Sequence, residues 1–190
     1  MQKSDPVMKK IIKQVGPFTG KMRRDRFQTL VRSIISQQIS VAAARTIQER
    51  LVEAMQPDGV TPEAILQFNV DALRELGVSR QKATYLLDLA SKVHDGTVDL
   101  KNIGRSSDEE VIAELTQIKG IGVWTAQMFM MFSLGRLDVF PDGDLGIQNA
   151  IVESYDIRGE LTRPKMLKIA KPWSPYATIA SWYLWRSLET

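Results

Sequence analysis

The stretch Leu115–Ala126, LTQIKGIGVWTA, ends one helical pattern and begins another within a few residues. Gly120 and Gly122 lie two positions apart between the two patterns. The apolar pattern after them predicts a helix over Val123–Phe132, stopped near Gly135. The stretch therefore predicts two helices joined by a very short glycine hairpin.

This hairpin has the composition of a phosphate-binding turn. Without Cβ atoms, Gly120 and Gly122 allow positive φ and let backbone N–H groups approach a phosphate, aided by the amino end of the next helix. Lys119 and Thr125 can add side-chain contacts to the same phosphate backbone. Taken alone, the Gly-x-Gly pattern is equally consistent with a simple tight turn.

On both sides of the hairpin, apolar residues recur at helical spacing and almost never alternate as they do in a strand. The pattern predicts an all-α chain of about ten helices, one of them over residues 145–155. The predicted helix starts are Ser40, Thr61 with Pro62, Ser79, Ser107 with Glu110, and Ser174 with Pro175.

The composition excludes several classes of protein and site. The 190 residues are 44% hydrophobic and 25% charged, which excludes a disordered or collagen-like chain. The absence of cysteine excludes disulfides, zinc-thiolate sites and iron–sulfur clusters, and the single histidine, His94, is predicted to be solvated. The net charge of +3 permits a nucleic-acid partner without requiring one. The sequence has no apolar run long enough to span a membrane, which predicts a cytosolic or nuclear protein without membrane contact.

Four segments, in order along the chain, resemble the helix-hairpin-helix superfamily of DNA glycosylases. LTQIKGIGVWTA resembles its hairpin, and DVFPDGDLGIQ carries Asp144 in the setting of its invariant aspartate. FQTLVRSIISQQISVAAARTI and KPWSPYATIASWYLW resemble the wedge-bearing helices and the carboxy-terminal helix of its alkylation-repair branch. The chain is thus identified as similar to 3-methyladenine DNA glycosylases in a compact form without the amino-terminal β-rich domain of some members.

This resemblance implies a fold and an activity. The fold would be one domain over 1–190 with an active-site cleft between two lobes, lobe one at about 30–134 and lobe two from 1–29 plus 135–190. The activity would be that of a monofunctional glycosylase, acting as a monomer, that flips 3-methyladenine or 7-methylguanine out of duplex DNA and hydrolyses the glycosidic bond. Two alternatives stay open: a glycosylase for another damaged base or a mismatch, and a non-catalytic DNA-binding module.

The resemblance also assigns roles to individual residues. Asp144 would be catalytic, and its position before a predicted helix also makes it a cap. Trp124 and Trp182 would line the base pocket, and because the bifunctional branch has a lysine at the position of Trp124, no strand cleavage is expected. Gln38 would be the wedge that fills the gap in the duplex, helped by Gln37 and Ser40.

Further roles concern the hairpin and the neighbours of Asp144. Lys119, Gly120, Gly122 and Thr125 would contact the DNA backbone, and the carbonyls of Thr116, Ile118 and Ile121 would bind one Na⁺ or K⁺. No organic cofactor is expected. Asp142 is expected to be a loop residue, Asp138 is expected to be structural, and Met128 and Leu145 stand where some relatives have tyrosines.

Overall fold

The structure, a computed structural model, describes residues 4–189, and every regular element within this range is helical. The prediction of an all-α fold is confirmed. Residues 1–3, which the predicted second lobe includes, and residue 190 lie outside the described range. The α-helices within residues 4–189 are α1 (Pro6–Val15), α2 (Arg26–Ser36), α3 (Val41–Ala54), α4 (Pro62–Leu66), α5 (Val70–Glu75), α6 (Arg80–His94), α7 (Asp108–Leu115), α8 (Val123–Phe132), α9 (Leu145–Ser154), α10 (Arg163–Ala170) and α11 (Ala177–Ser187).

Most of the predicted helix starts are confirmed by the capping geometry. The side-chain oxygens of Ser40, Thr61 and Ser79 each accept the backbone N–H three residues later, at 3.1–3.3 Å. Ser107 and Glu110 form the predicted reciprocal capping box. Each cap satisfies an N–H group that has no partner inside its own helix.

The last helix begins later than predicted. Ser174 does not cap a helix, because its hydroxyl donates to Asp138 Oδ2 at 2.6 Å. The other oxygen of Asp138 accepts the Ala177 N–H at 3.1 Å, at the first residue of α11. Asp138 is therefore structural, as predicted, and it binds the start of a helix 39 residues further along the chain.

The chain divides into two compact units. The terminal unit consists of the described residues up to Met22 and from Met130 onward, and the central unit is Arg23–Phe129. In the terminal unit α11 packs against α1 and α9, and in the central unit α6 packs against α2, α4 and α5.

A buried carboxylate lies inside the terminal unit. Asp5, 5% exposed, caps α1 by accepting the Met8 N–H on Oδ1 at 2.9 Å. Its Oδ2 accepts the Tyr155 hydroxyl at 2.5 Å and Trp173 Nε1 at 2.8 Å. Asp5 therefore ties α1 to two segments more than 140 residues away in the sequence.

None of the helices that the structure describes has the length and apolarity needed to cross a bilayer.

Candidate functional site

The predicted glycine hairpin connects α7 to α8 in the central unit. Two reverse turns form it, in which the Ile118 N–H bonds to the Leu115 carbonyl and the Ile121 N–H to the Ile118 carbonyl, both at 3.1 Å. Ile118 and Ile121 are buried and anchor the turn, whereas Lys119 between them is exposed. The hairpin thus presents polar backbone at the surface over an apolar base.

The two glycines of the hairpin meet different constraints. Gly120 has φ of +81°, and a Cβ there would lie 2.1 Å from the ring of Tyr85. Gly122 has ordinary φ, is exposed, and a Cβ there would meet nothing within 4 Å. Gly120 is therefore required by the fold itself, while Gly122 leaves open the surface at the amino end of α8.

One face of α6 holds the hairpin in place. Besides Tyr85, this face carries Asp88, whose Oδ2 accepts the Lys119 N–H at 2.9 Å and Lys92 Nζ at 2.6 Å. Burial by itself raises the pKa of Asp88, but these hydrogen bonds and the charges of Lys92 and Lys119 lower it overall. Asp88 is therefore an ionised anchor for the hairpin backbone.

The loop between α2 and α3, residues 37–40, is held by the same face of α6 and by the hairpin. Lys82 Nζ donates to the carbonyls of Ile35 and Gln37 at 2.7 and 2.5 Å. Gln37 Nε2 donates to the Gly120 carbonyl at 2.8 Å. The side chain of Gln37 is therefore bound to the hairpin. Gln38, by contrast, is exposed and has φ of +56°.

Sequence reasoning did not identify Lys82 or Asp88 as residues that organise the site. Both bind backbone atoms more than 30 positions away, and no local pattern signals such a contact. Val41, the first residue of α3, is also a finding of the structure, since 87% of its surface is exposed. The exposed polar side chain of Gln38 in the loop is thus followed by an exposed apolar side chain, Val41, at the start of α3.

The four residues predicted to contact the DNA backbone are not equally accessible. Lys119 and Gly122 are exposed and Gly120 is half-buried. Thr125 is only 6% exposed, so its side chain faces the interior of the protein. Any contact from this position would involve its backbone.

In the terminal unit, Asp144 is the N-cap of α9, as predicted. Its Oδ1 accepts the Ile147 N–H at 2.8 Å and Trp185 Nε1, also at 2.8 Å. Trp185 lies on α11, and no local sequence pattern predicts that it reaches Asp144 from 41 residues away. The carboxylate is half-buried, and the amino end of α9 favours its negative charge.

Asp142 lies in the same loop and is bound elsewhere. It forms an ion pair with Arg163 Nε at 2.5 Å, and its carbonyl accepts Gln148 Nε2 at 2.9 Å. Leu145, which follows Asp144, is 72% exposed. Asp142 thus links the loop before α9 to the first residue of α10.

The two tryptophans assigned to the base pocket lie in different units. Trp124, in the first turn of α8, is 46% exposed. Trp182 is half-buried, with Phe18 edge-on at 4.8 Å between ring centroids and Tyr183 edge-on at 4.9 Å. His94, as predicted, is largely solvated, with Nδ1 3.3 Å from Glu63 Oε1.

The predicted alkali-metal site consists only of backbone carbonyls. Of these, the Ile118 carbonyl accepts the Ile121 N–H, which leaves its second lone pair. Thr116 ends α7, and its hydroxyl donates to the Ile112 carbonyl at 2.7 Å. Among residues 4–189 there is no group of three or more His, Cys, Asp or Glu side chains that could hold a metal. Neutral, hard oxygen donors fit a monovalent cation.

The chain is similar to known proteins over most of its length. Residues 31–175 match the family described as HhH-GPD superfamily base excision DNA repair protein. DNA-3-methyladenine glycosylase 1 of Schizosaccharomyces pombe is 34% identical over 189 residues, which cover 96% of this chain and 82% of that protein. A longer Bacillus subtilis relative is 38% identical over 169 residues, which cover 86% of this chain and 59% of that relative.

Two solved structures are similar over nearly the whole chain. The crystal structure of DNA-3-methyladenine glycosidase from Bacillus halodurans has a TM-score of 0.90 and 36% identity, covering 99% of this chain and 87% of that one. A Schizosaccharomyces pombe 3-methyladenine DNA glycosylase in complex with abasic DNA has a TM-score of 0.84 and 33% identity, covering 98% of this chain and 93% of that one.

Proposed function

The chain belongs to the HhH-GPD superfamily of base excision DNA repair proteins, and we propose that it is a monofunctional DNA glycosylase for alkylated purines. Its substrates are 3-methyladenine and 7-methylguanine in duplex DNA. The observation that carries the proposal is the Asp144 carboxylate, held by two N–H donors at the amino end of α9. The DNA-3-methyladenine glycosylase names of several relatives support this class of substrate.

Hydrolysis by this site needs a negative charge beside the sugar. Alkylation at a ring nitrogen makes the purine cationic, so when the C1′–N bond breaks the base leaves neutral with the bonding electrons. The sugar then becomes oxocarbenium-like and positive, and ionised Asp144 stabilises that charge. Water adds to C1′ and loses a proton to Asp144 or to solvent. The products are a free base and an abasic site.

Recognition of the base rests on its positive charge. The proposed base-binding side chains are Trp124 and Trp182, whose indole faces attract a cationic ring more strongly than a neutral purine. The edge-on contact of Phe18 supports this role of Trp182, because it restrains the indole. Trp124 has no amine that could form a Schiff base with the sugar, which supports hydrolysis without strand cleavage.

The duplex is bound through its backbone and probed by the loop at residues 37–40. Lys119 and the backbone at Gly120, Gly122 and Thr125 take the phosphate, and Gln38 fills the gap left by the flipped nucleotide. The open space at Gly122 and the exposure of Gln38 support these assignments.

We also propose one Na⁺ or K⁺ at the hairpin, held by the carbonyls of Thr116, Ile118 and Ile121. When bound, the ion would supply positive charge next to a phosphate. The enzyme acts as a monomer without an organic cofactor, in the nucleoid-containing cytoplasm or in the nucleus.

The test is the release of free bases from methylated duplex DNA, identified by mass. We expect 3-methyladenine and 7-methylguanine to be released, with abasic sites left in unbroken strands. A matched incubation with the Asp144→Asn variant controls for spontaneous depurination. Release of only uncharged lesions, or strand cleavage by the parent enzyme, would contradict the proposal.

A further inference from the structure

We infer that Trp185 is a positioning residue for the Asp144 carboxylate, which rests on the proposed role of Asp144 in hydrolysis. The Trp185 Nε1 proton and the Ile147 N–H both point to Oδ1 of Asp144, each at 2.8 Å. Two donors on one oxygen restrain the rotation of the carboxylate about its Cβ–Cγ bond. A helix cap needs only the first of these donors, so the second calls for a separate explanation.

Gly146 provides the space for this contact. A Cβ at Gly146 would lie 3.1 Å from Asp144 Oδ1, 3.1 Å from Trp185 Cδ1 and 3.3 Å from Trp185 Nε1. Its φ is not positive, so the backbone conformation does not require glycine here. Glycine inside a helix costs about 1 kcal/mol relative to alanine. Glycine therefore occurs in α9 at a position where a Cβ would crowd both the indole and the carboxylate.

The indole is also held from another side. The ring of Phe132, the last residue of α8, lies 6.1 Å from the Trp185 ring, at 36° between planes. Trp185 is itself part of α11, which packs along α9. Trp185 is therefore fixed by two other helices, and its N–H is preorganised for Asp144.

The hydrogen bond also predicts that the two residues depend on each other. If Trp185 acts by holding the Asp144 carboxylate, loss of its N–H should slow excision only where that carboxylate is present. In the Asp144→Asn background the loss should have little further effect, whereas a purely structural role of Trp185 would slow excision alike in both backgrounds.

The experiment compares single-turnover excision of 3-methyladenine at pH 7 by the parent, Trp185→Phe, Asp144→Asn and the double variant. Phenylalanine keeps an aromatic ring but removes the donor. We expect Trp185→Phe to be about 10- to 100-fold slower than the parent, as for loss of a hydrogen bond to a charged group, and the double variant to match Asp144→Asn. The dissociation constant for an abasic duplex should stay within about twofold.

Trp173→Phe is the matched control. Trp173 Nε1 also donates to an aspartate, Asp5, at the same distance of 2.8 Å. The control removes an equivalent indole–carboxylate hydrogen bond from the same unit, so it should lower the thermal stability while leaving the rate of excision near that of the parent. An equal loss of rate in both folded variants would overturn the inference.

Gly146→Ala gives an independent test that keeps both hydrogen-bonding groups. The added methyl group should displace the indole from Asp144 and slow excision in the same way, and this variant decides the matter if Trp185→Phe does not fold. If Asp144→Asn excises at the parent rate, the proposed role of Asp144 fails and the inference falls with it. If Asp144→Asn is strongly slowed while Trp185→Phe and Gly146→Ala match the parent in rate, only the inference about Trp185 is overturned.

Discussion

Two carboxylates of the terminal unit accept hydrogen bonds from the same two kinds of donor, a helix N–H and an indole N–H. Asp5 caps α1 and accepts Trp173 Nε1, and Asp144 caps α9 and accepts Trp185 Nε1. At Asp5 the helix N–H and the indole bind different oxygens, whereas at Asp144 they converge on Oδ1. Asp5 is buried, and Asp144 is half-buried. The same two kinds of donor therefore hold a core together at Asp5 and, in the proposed function, hold the catalytic carboxylate at Asp144.

The strongest way to break this comparison is to remove the charge of Asp144. Asp144→Asn keeps the size and the capping oxygen but cannot stabilise a positive sugar, so single-turnover excision should fall roughly 100- to 1,000-fold. Duplex binding, measured by fluorescence anisotropy, should persist or tighten because a negative charge near the phosphates is lost. Near-parent release of 3-methyladenine would mean that Asp144, like Asp5, is only a structural cap.

The reciprocal change at Asp5 should affect stability and leave excision intact. Burial by itself raises the pKa of Asp5, but the hydrogen bonds from Tyr155, the Met8 N–H and Trp173 together lower it below 3.8. Because the pKa is depressed in the folded state, the stabilisation is complete at neutral pH and is lost as the pH falls through the folded pKa.

Asp5→Asn should therefore cost about 2 kcal/mol of unfolding free energy at pH 7, as expected for hydrogen bonds to a charged group. Urea unfolding of the parent and the variant at pH 7 and below pH 3.8 measures this, and the difference between the two proteins should shrink at the lower pH. A difference that is independent of pH would show that the hydrogen bonds do not depend on the charge of Asp5.

The two carboxylates also show which structural features could be predicted from the sequence. Caps are local, so the helix starts at Ser40, Ser79 and Ser107 and the cap at Asp144 follow from a few neighbouring residues. The glycine hairpin and the all-α fold are likewise local or periodic signals. The function came from resemblance across four motifs, because Asp144 as an isolated residue is consistent with a cap alone.

Long-range contacts could not be predicted in this way. Trp185 reaches Asp144 across 41 residues, and Lys82 reaches Gln37 across 45. The predicted start of α11 is wrong for the same reason, since Asp138 binds the actual start from 39 residues away. Such contacts depend on how helices pack, and a single sequence taken by itself carries no signal for that packing.

The glycine hairpin is a third region to set beside the two carboxylates, because it is proposed to bind DNA and to take no part in the hydrolysis. Gly122→Asp adds a negative charge at an open surface where phosphate is proposed to lie, and nothing in the fold obstructs the new side chain. We expect the dissociation constant to rise about tenfold for damaged and undamaged duplexes alike, because backbone contacts carry no sequence information.

Gly122→Ala controls for the added Cβ, and it should bind more tightly than Gly122→Asp by most of that factor. Salt titration should show the difference shrinking as ionic strength rises, because the effect is electrostatic. A loss of excision confined to one lesion, with binding unchanged, would contradict the phosphate contact at the hairpin.

The smallest expected effect concerns Trp182. It tests whether this side chain distinguishes cationic from neutral bases, which Asp144 is not expected to do. In the proposed mechanism the Asp144 carboxylate acts on the sugar, so Asp144→Asn should slow excision of every lesion. Trp182→Ala should instead cost about 0.5 to 2 kcal/mol of transition-state stabilisation for cationic 3-methyladenine or 7-methylguanine, and less for a neutral lesion. Single-turnover rates must be normalised to spontaneous depurination, because a labile bond raises the apparent rate with any enzyme.

Folding of the Trp182 variant has to be verified, since loss of a buried tryptophan can cost about 3 to 5 kcal/mol of stability. Trp182→Phe serves as the matched variant, because it keeps an aromatic face beside Phe18 while weakening the attraction for a cation. The expected order of rates on the cationic bases is parent, then Trp182→Phe, then Trp182→Ala, with a shallower order on neutral lesions. Equal losses for cationic and neutral bases in a folded variant would mean that Trp182 only packs, and the charge-based recognition of alkylpurines would then lose its main physical support.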